Sequence, residues 1–151
     1  MNLKVLLFLV SAILCTTSIA QKKAIDWLSF EKLAEGFQKE QKPILIFLHT
    51  DWCKFCKMQE NTTFKDSSII SSLSKDYYCL RFNAESKEIV SFFGREYLFS
   101  PEDGYHELAL YLGSEEGKLK LPTTVILNKR LEKSFRKSAL VNREEMKVLL
   151  K

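Results

Sequence analysis

The residues of this chain best suited to chemistry are two cysteines in the stretch Trp52-Cys53-Lys54-Phe55-Cys56. An apolar run at 44–48 precedes them and predicts a buried strand, and a helix-forming segment follows them directly. This order would place Cys53 at a helix N-terminus, where the helix dipole and unpaired backbone N–H groups favour a thiolate. Cys56 lies about one helical turn further along, so it can close a disulfide with Cys53 or attack a mixed disulfide formed there. The pattern therefore predicts a redox-active cysteine pair.

Other uses of the cysteine pair are weaker matches to the sequence. A structural disulfide would close a very small loop and so stabilise the fold little. Zinc usually takes four ligands, and the chain has no second cysteine pair. Copper needs fewer ligands, and His49 and His106 could supply them, so a copper-binding site stays open. His49 could also tune the cysteines or pack locally, and Cys79 is predicted to be a buried thiol on a strand.

Size, composition and charge indicate one globular domain. The chain has 151 residues, of which 46% are hydrophobic and 12% aromatic, and its formal net charge is +4 at pH 7. This composition supports a packed core rather than disorder. The charges of both signs are interspersed along the chain and form no basic stripe, which argues against binding to nucleic acid.

Residues 1–20 have the pattern of a secretory signal peptide. Lys4 provides a positive start, Val5–Leu14 is an apolar segment, and Ser18-Ile19-Ala20 supplies small residues before a predicted cut at Gln21. We therefore expect a signal peptide at 1–20 that is removed on export, and a mature protein that begins at Gln21 in the periplasm or outside the cell.

Two alternatives to cleavage are less favoured by the same segment. The uncharged run Val5–Ala20 is shorter than the ~17 residues that a membrane-spanning helix usually needs, so a retained anchor is not expected. A lipid anchor on Cys15 would call for a small residue just before it, where this chain has Leu14. The mature domain is therefore predicted to be residues 21–151.

Hydrophobic periodicity and capping residues predict an α/β sandwich with a mixed sheet. Asn142 and Glu145 form a capping-box pattern before the last helix. The predicted helices are 30–40 after a Ser29 cap, a segment from Cys53 to about Phe64, a short helix capped by Asp66 or Ser67, 105–112, and the segment after Asn142. The predicted strands are 44–49, 77–83, the stretch that follows Pro122, and 131–135. The aromatic-rich block 92–99 either joins the core or forms a substrate surface or lid.

These residues together resemble the thioredoxin family over roughly 29–151. The stretch Trp52-Cys53-Lys54-Phe55-Cys56-Lys57 matches the family's Trp-Cys-x-x-Cys-Lys, and Leu121-Pro122-Thr123 matches its cis-proline loop. Ser138-Ala139-Leu140 precedes the last helix as the family's Gly-Ala-Leu does. Residues 58–66 are similar to exported bacterial thioredoxin-like proteins and to the C-terminal domain of the disulfide reductase DsbD. The resemblance implies a thioredoxin fold, with a central mixed sheet flanked by helices and an inserted aromatic-rich segment, 86–104, before the cis-proline strand.

The resemblance also implies roles for individual residues. Cys53 would be the attacking thiolate and Cys56 the resolving thiol. A cis Pro122 would face the disulfide and leave the backbone of Leu121 to pair with an extended peptide, and Trp52 would shield the site. The residues expected to shape the site are Trp52, Lys54, Phe55, Leu121 and Pro122.

The function implied is an exported thiol:disulfide oxidoreductase that reduces protein disulfides. The redox group would be the Cys53–Cys56 disulfide itself, with no organic cofactor and no metal. A membrane-bound thiol reductase would supply the electrons, and the protein is expected to be a monomer. A thiol oxidase or isomerase of the same fold remains an alternative, as does a copper-binding or peptide-binding thioredoxin-like module.

One departure from the family pattern bears on mechanism. Thioredoxins carry a buried aspartate six residues before the first cysteine, and that place is Phe47 here. A phenyl ring cannot accept the proton of the resolving thiol. Cys56 must then lose its proton to water or to a nearby base, for which Glu60 and His49 are the candidates by sequence position.

Overall fold

The computed structural model of this protein describes residues 24–151, so the predicted signal peptide lies outside the described residues. The helices are α1 (Phe30–Lys39), α2 (Lys54–Asn61), α3 (Ser67–Asp76), α4 (Glu107–Gly113) and α5 (Arg143–Leu149), with a 3-10 turn at Thr63–Lys65. The strands are β1 (Ile44–His49), β2 (Tyr78–Asn83), β3 (Val90–Phe92), β4 (Arg95–Tyr97), β5 (Phe99–Ser100), β6 (Tyr105–His106), β7 (Thr123–Leu127) and β8 (Lys133–Lys137). Within 24–151, no helix combines the length and the apolar character that crossing a membrane requires.

The central sheet has four strands in the order β2-β1-β7-β8. β1 is parallel to β2 and antiparallel to β7, and β8 is antiparallel to β7. The mixed sheet predicted from the sequence is therefore confirmed. β1 lies in the middle and is buried along its whole length, which explains its unbroken apolar sequence.

Alternate residues of β1 face two separate apolar cores, one on each side of the sheet. Ile44, Ile46 and Leu48 pack with α1, α4 and the inserted strands. Leu45 and Phe47 face the other way and pack with the cysteine pair and with apolar residues of α3 and α5. Because side chains of a strand alternate between faces, one apolar strand supplies both cores.

Local capping signals predicted most helix starts correctly. Ser29 caps α1 through its hydroxyl, and Asp66 caps α3 by accepting from the backbone N–H groups of Ser68 and Ile69. Asn142 and Glu145 form the predicted capping box at α5. These contacts join residues within three positions of each other, so the sequence alone specifies them.

Two predicted helix boundaries were wrong. The helix after Cys53 was predicted to reach about Phe64, but α2 ends at Asn61, where the Thr62 hydroxyl bonds to the Met58 carbonyl, and the chain continues as a 3-10 turn. The helix predicted from Tyr105 begins at Glu107. Tyr105 and His106 instead pair with β5, and the His106 ring caps α4 by accepting from the Leu108 backbone N–H at 3.1 Å.

The last strand also begins later than predicted, at Lys133 rather than Leu131. Leu131 has a positive φ of 62° and belongs to the turn between β7 and β8. The Asn128 side chain holds that turn by accepting from the backbone N–H groups of Arg130 and Glu132, at 2.8 and 3.1 Å. A short polar side chain in a turn competes with strand pairing in this way.

The inserted segment 86–104 carries β3, β4 and β5 and packs onto the domain. Phe92 makes edge-on ring contacts with Phe30 and Phe93, with centroids 6.1 and 4.8 Å apart. Val90, Phe92 and Tyr97 are buried in the same core as α1. Of the two roles left open for this aromatic block, the packing supports the core role.

Candidate active site

Cys53 stands at the N-cap of α2 and forms a disulfide with Cys56. The Cα atoms of the two residues are 5.2 Å apart. The backbone N–H of Cys56 donates to the Cys53 sulfur at 3.1 Å. The positive end of the helix therefore faces Cys53, as predicted from the sequence, and this arrangement favours a thiolate when the disulfide is reduced.

Residues around the disulfide differ sharply in exposure. Cys53 is 5% exposed and Cys56 is 1% exposed, whereas Trp52 and Phe55 are 64% and 61% exposed. Lys54, the first residue of α2, is also exposed. The stretch therefore exposes two apolar side chains and one basic side chain, Trp52, Phe55 and Lys54, next to two nearly covered cysteines.

The predicted proline loop also reaches this surface. The Leu121–Pro122 peptide bond is cis. β7 begins directly after Pro122 and pairs Thr123 with Leu48, so the proline lies beside the end of β1 from which the cysteine loop emerges. Leu121 packs against the core that contains both cysteines. The fold thus brings together two motifs that are far apart in the sequence.

Gln59 fixes the active-site helix, and sequence analysis did not identify it. The residue is fully buried on α2. Its amide nitrogen donates to the Thr124 hydroxyl at 3.0 Å, and its amide oxygen accepts from the Val141 backbone N–H at 2.9 Å. Its two partners lie 65 and 82 residues further along the chain, so no local pattern identifies them. The one indication in the sequence was a polar residue on the helix face that also carries the buried Cys56.

Replacement of Gln59 by methionine should destabilise the protein by about 1–3 kcal/mol, because the Val141 N–H and the Thr124 hydroxyl would stay buried without their partner. Methionine keeps nearly the same volume, so the change isolates the lost hydrogen bonds. Urea denaturation measures the free energy of unfolding. Gln38→Met, at an exposed position of α1, is the matched control and should leave stability within experimental error. Equal stabilities of the two variants would contradict the role of Gln59.

Phe47 occupies an apolar environment beneath the cysteine pair. Its side chain is fully buried in the core that holds Cys53 and Cys56. Its ring meets the Phe64 ring edge-on at 5.0 Å and lies nearly parallel to the His49 ring, with centroids 5.9 Å apart. The position that holds a carboxylate in thioredoxins therefore contributes only packing here.

His49 and Glu60, the two candidate proton acceptors, meet at one arginine of β2. Arg81 Nε lies 2.8 Å from Glu60 Oε1 and donates to His49 Nε2 at 3.2 Å. Glu60 follows Cys56 by four residues on α2, so the two side chains lie on one face of the helix. The other His49 ring nitrogen, Nδ1, is buried and has no hydrogen-bond partner within residues 24–151.

The stability of the folded protein should fall as pH drops below about 6.5, in part because of His49. Burial lowers the pKa of His49 below its ordinary value of 6.5, and the charge of Arg81 lowers this pKa further. The unfolded chain therefore takes up a proton at a higher pH than the folded protein, and acid favours unfolding until the folded pKa is passed. His49→Gln should show a smaller acid loss in urea denaturation at a series of pH values. Parallel curves for the two proteins would rule out this contribution.

Cys79 and His106 are the two other residues that the sequence analysis singled out. Cys79 is buried in β2, on the face of the sheet that carries the cysteine pair, as predicted for a strand thiol. His106 is fully buried and stacks edge-on against Phe82 of β2. Its Nε2 lies 2.9 Å from the Glu88 carbonyl of the inserted segment and its Nδ1 caps α4, so both ring nitrogens have partners.

Comparison with known proteins agrees with this geometry. A protein-family model described as thioredoxin-like matches residues 26–105. The thiol:disulfide interchange protein DsbD of Campylobacter jejuni (strain RM1221) is 35% identical over 60 residues, which are 38% of this chain and 11% of DsbD. This chain therefore matches only about a tenth of that relative's length.

Solved structures share the fold at low sequence identity. A thioredoxin from Thermus thermophilus superposes with a TM-score of 0.60 at 16% identity, covering 84% of this chain and 85% of the thioredoxin. The reduced C-terminal domain of DsbD from Neisseria meningitidis superposes with a TM-score of 0.51 at 13% identity, covering 83% of this chain and 96% of that domain. With a family model that spans more than half of its residues, this chain belongs to the thioredoxin-like family.

Proposed function

We propose that this protein is an exported thiol:disulfide oxidoreductase that reduces disulfides in other proteins. The observation that carries the proposal is the position of Cys53. Its sulfur sits at the N-cap of α2, accepts a backbone hydrogen bond and is joined to Cys56. A purely structural disulfide has no need of a helix N-terminus, whereas a nucleophilic thiolate gains from it.

The reaction needs only the two cysteines. The Cys53 thiolate attacks one sulfur of a substrate disulfide, forms a mixed disulfide and expels the other substrate sulfur as a thiolate. Cys56, once deprotonated, attacks the Cys53 sulfur and expels the second substrate thiolate. The substrate gains two electrons and the Cys53–Cys56 disulfide is restored. A membrane-bound thiol reductase would return the electrons by the same exchange in reverse.

The surface around Cys53 supports a protein substrate. Three large apolar side chains close to Cys53 in the sequence are each more than half exposed: Trp52, Phe55 and Met58. Exposed apolar groups of this kind commonly mark a contact surface for another protein. An extended substrate segment could pair with the backbone of Leu121 beside the cis Pro122, as the resemblance implies.

An insulin-reduction assay, run beside a titration of Cu(I) into the reduced protein, tests this proposal. We expect turnover of insulin disulfides above the rate of the chemical reductant alone. The redox potential of the Cys53–Cys56 pair then separates a reductant from an oxidase or isomerase, because a reductant has the more negative potential. Tight stoichiometric binding of Cu(I) without insulin turnover would instead favour a copper-binding module.

A further inference from the structure

A cavity lies at the end of the central sheet that is opposite to the cysteine pair. Its volume is about 260 Å³, and its lining comes from the β3–β4 hairpin, α4, the end of β7 and the start of β8. Leu127, which lines it, pairs with the first residue of β1, whereas Thr123 pairs with Leu48 near the cysteine loop. Four residues of strand span about 13 Å, so the cavity is separate from the redox site.

An arginine lies on the apolar face of the β3–β4 hairpin. The two strands pair Val90 with Tyr97 and Phe92 with Arg95. Directly opposed residues of an antiparallel pair share a face, and the three neighbours of Arg95 on this face are all buried. The Arg95 guanidinium lies 4.9 Å from the centre of the Tyr97 ring and lines the cavity. A charged group therefore stands where the hairpin is otherwise apolar.

A lysine of β8 contributes a second cation to the cavity. Lys133 Nζ lies 5.7 Å from the centre of the Tyr111 ring and donates to the Tyr111 carbonyl at 3.1 Å. An ammonium has three donors, so two of them remain for other partners. The Tyr97 and Tyr111 rings are 5.8 Å apart. The two tyrosine rings therefore lie together, with Arg95 beside one and Lys133 beside the other.

These two cations have no counter-charge in the cavity. None of the residues that line it is acidic, and within residues 24–151 neither Arg95 nor Lys133 forms an ion pair. Glu132, next to Lys133 in the chain, is paired with Arg130 at 3.1 Å. Burial lowers the pKa of Lys133 below its ordinary value, and the charge of Arg136 lowers it further. An anion in the cavity would offset both effects.

The hairpin turn gives the cavity a fixed wall. Phe93 and Gly94 form the turn with positive φ values of 47° and 82°. A bulky residue rarely adopts this conformation, and it persists where the surroundings hold it. The Phe93 ring packs edge-on against Phe37 of α1, with centroids 5.1 Å apart, and also lines the cavity. The aromatic wall is thus in place before any ligand binds.

We propose that this cavity binds a small aromatic carboxylate, with the carboxylate between Arg95 and Lys133 and the ring against Tyr97 and Tyr111. Guanidinium and ammonium groups form charge-assisted hydrogen bonds with a carboxylate. Aromatic rings favour offset or edge-on contact with other rings. A cavity of about 260 Å³ is smaller than the ~300–1,000 Å³ of a site for drug-sized ligands, so it suits a ligand with a single ring.

Three related probes test the charge and the ring separately by isothermal titration calorimetry. Phenylacetate should bind with a Kd on the order of 0.1–1 mM, as befits so small a ligand. Phenylacetamide keeps the ring but loses the charge, and it should bind at least about tenfold more weakly. Cyclohexylacetate keeps the charge and most of the volume but loses the aromatic faces, and it should bind about threefold more weakly. Equal affinity for phenylacetate and phenylacetamide, or no binding of phenylacetate, would overturn the proposal.

Variants at the rim of the cavity test which cations hold the carboxylate. Arg95 and Lys133 are exposed, so Arg95→Gln and Lys133→Gln should fold normally. Each should weaken phenylacetate binding by about threefold to tenfold. Lys129→Gln is the matched control, since Lys129 is exposed on the adjoining turn and does not line the cavity. An equal loss of affinity in all three variants would indicate a general charge effect and contradict a built site.

NMR chemical-shift mapping locates the bound probe without any assay of activity. Phenylacetate should shift the signals of Leu127 and Leu131, which line the cavity, and leave the Trp52 indole signal unchanged. Because neither cysteine takes part, the Kd should be the same for the oxidised and the reduced protein. Shifts centred on Trp52, or binding to only one redox state, would place the probe at the cysteine pair and overturn the proposal.

Discussion

Replacing Cys56 with serine should stop turnover and leave the protein covalently joined to its substrate through Cys53. Cys53 keeps its place at the N-cap of α2, so it still attacks, but no second thiol remains to release the product. Insulin reduction should fall to the rate of the chemical reductant alone. Non-reducing gels and intact-mass measurement should show a mixed disulfide that disappears on treatment with dithiothreitol. Cys53→Ser should lose turnover without trapping any substrate.

Alkylation of the reduced protein should distinguish the three thiols of the predicted mature chain. The reduced protein should be alkylated first at Cys53, because the helix N-terminus lowers the pKa of that thiol below the ordinary value of ~8.5. Cys56 and Cys79 are slightly more buried than Cys53, and neither stands at the N-cap of α2, so they should react more slowly. Cys79→Ala is the control and should retain turnover. Faster alkylation of Cys56 than of Cys53 would reverse the assignment of nucleophile and resolving thiol.

The rate at which Cys56 resolves the mixed disulfide should rise with pH, by about tenfold per unit below the pKa of Cys56, because only its thiolate attacks. The fully buried ring of Phe47 cannot accept the proton of that thiol. Glu60 lies one turn beyond Cys56 but is paired with Arg81 at 2.8 Å. His49 is neutral at neutral pH, since its pKa is lowered, yet its Nε2 already accepts from the same arginine. Stopped-flow measurement between about pH 6 and about pH 9 gives the profile.

A carboxylate introduced at position 47 should remove much of this pH dependence. Phe47→Asp should speed resolution near neutral pH, although burying the new charge costs several kcal/mol of stability. Phe47→Leu is the matched control, since it disturbs the same packing without adding an acid. A flat profile in the unmodified protein would mean that an acceptor is already present. Glu60→Gln and His49→Gln would then identify which of the two it is.

Local sequence was enough to determine the elements that carry the chemistry. The apolar run of β1, the cysteine pair and the start of α2 are contiguous, and each helix cap joins residues a few positions apart. The same is true of the capping box at Asn142 and Glu145. Interactions of this range depend on residue order rather than on the rest of the fold, so the strand, the N-cap position of Cys53 and the α/β class could be predicted.

Tertiary structure alone decided how that site is supported. Gln59 meets Thr124 and Val141, and Trp52 meets Glu85, across separations that no local pattern encodes. The partners of a buried polar group depend on which distant segments the fold brings alongside it. His106 shows the same limit, because a residue that the sequence suggested only as a possible copper ligand caps α4 and binds the inserted segment. Sequence determined the reacting atoms of this protein, and long-range packing determined the surroundings in which they react.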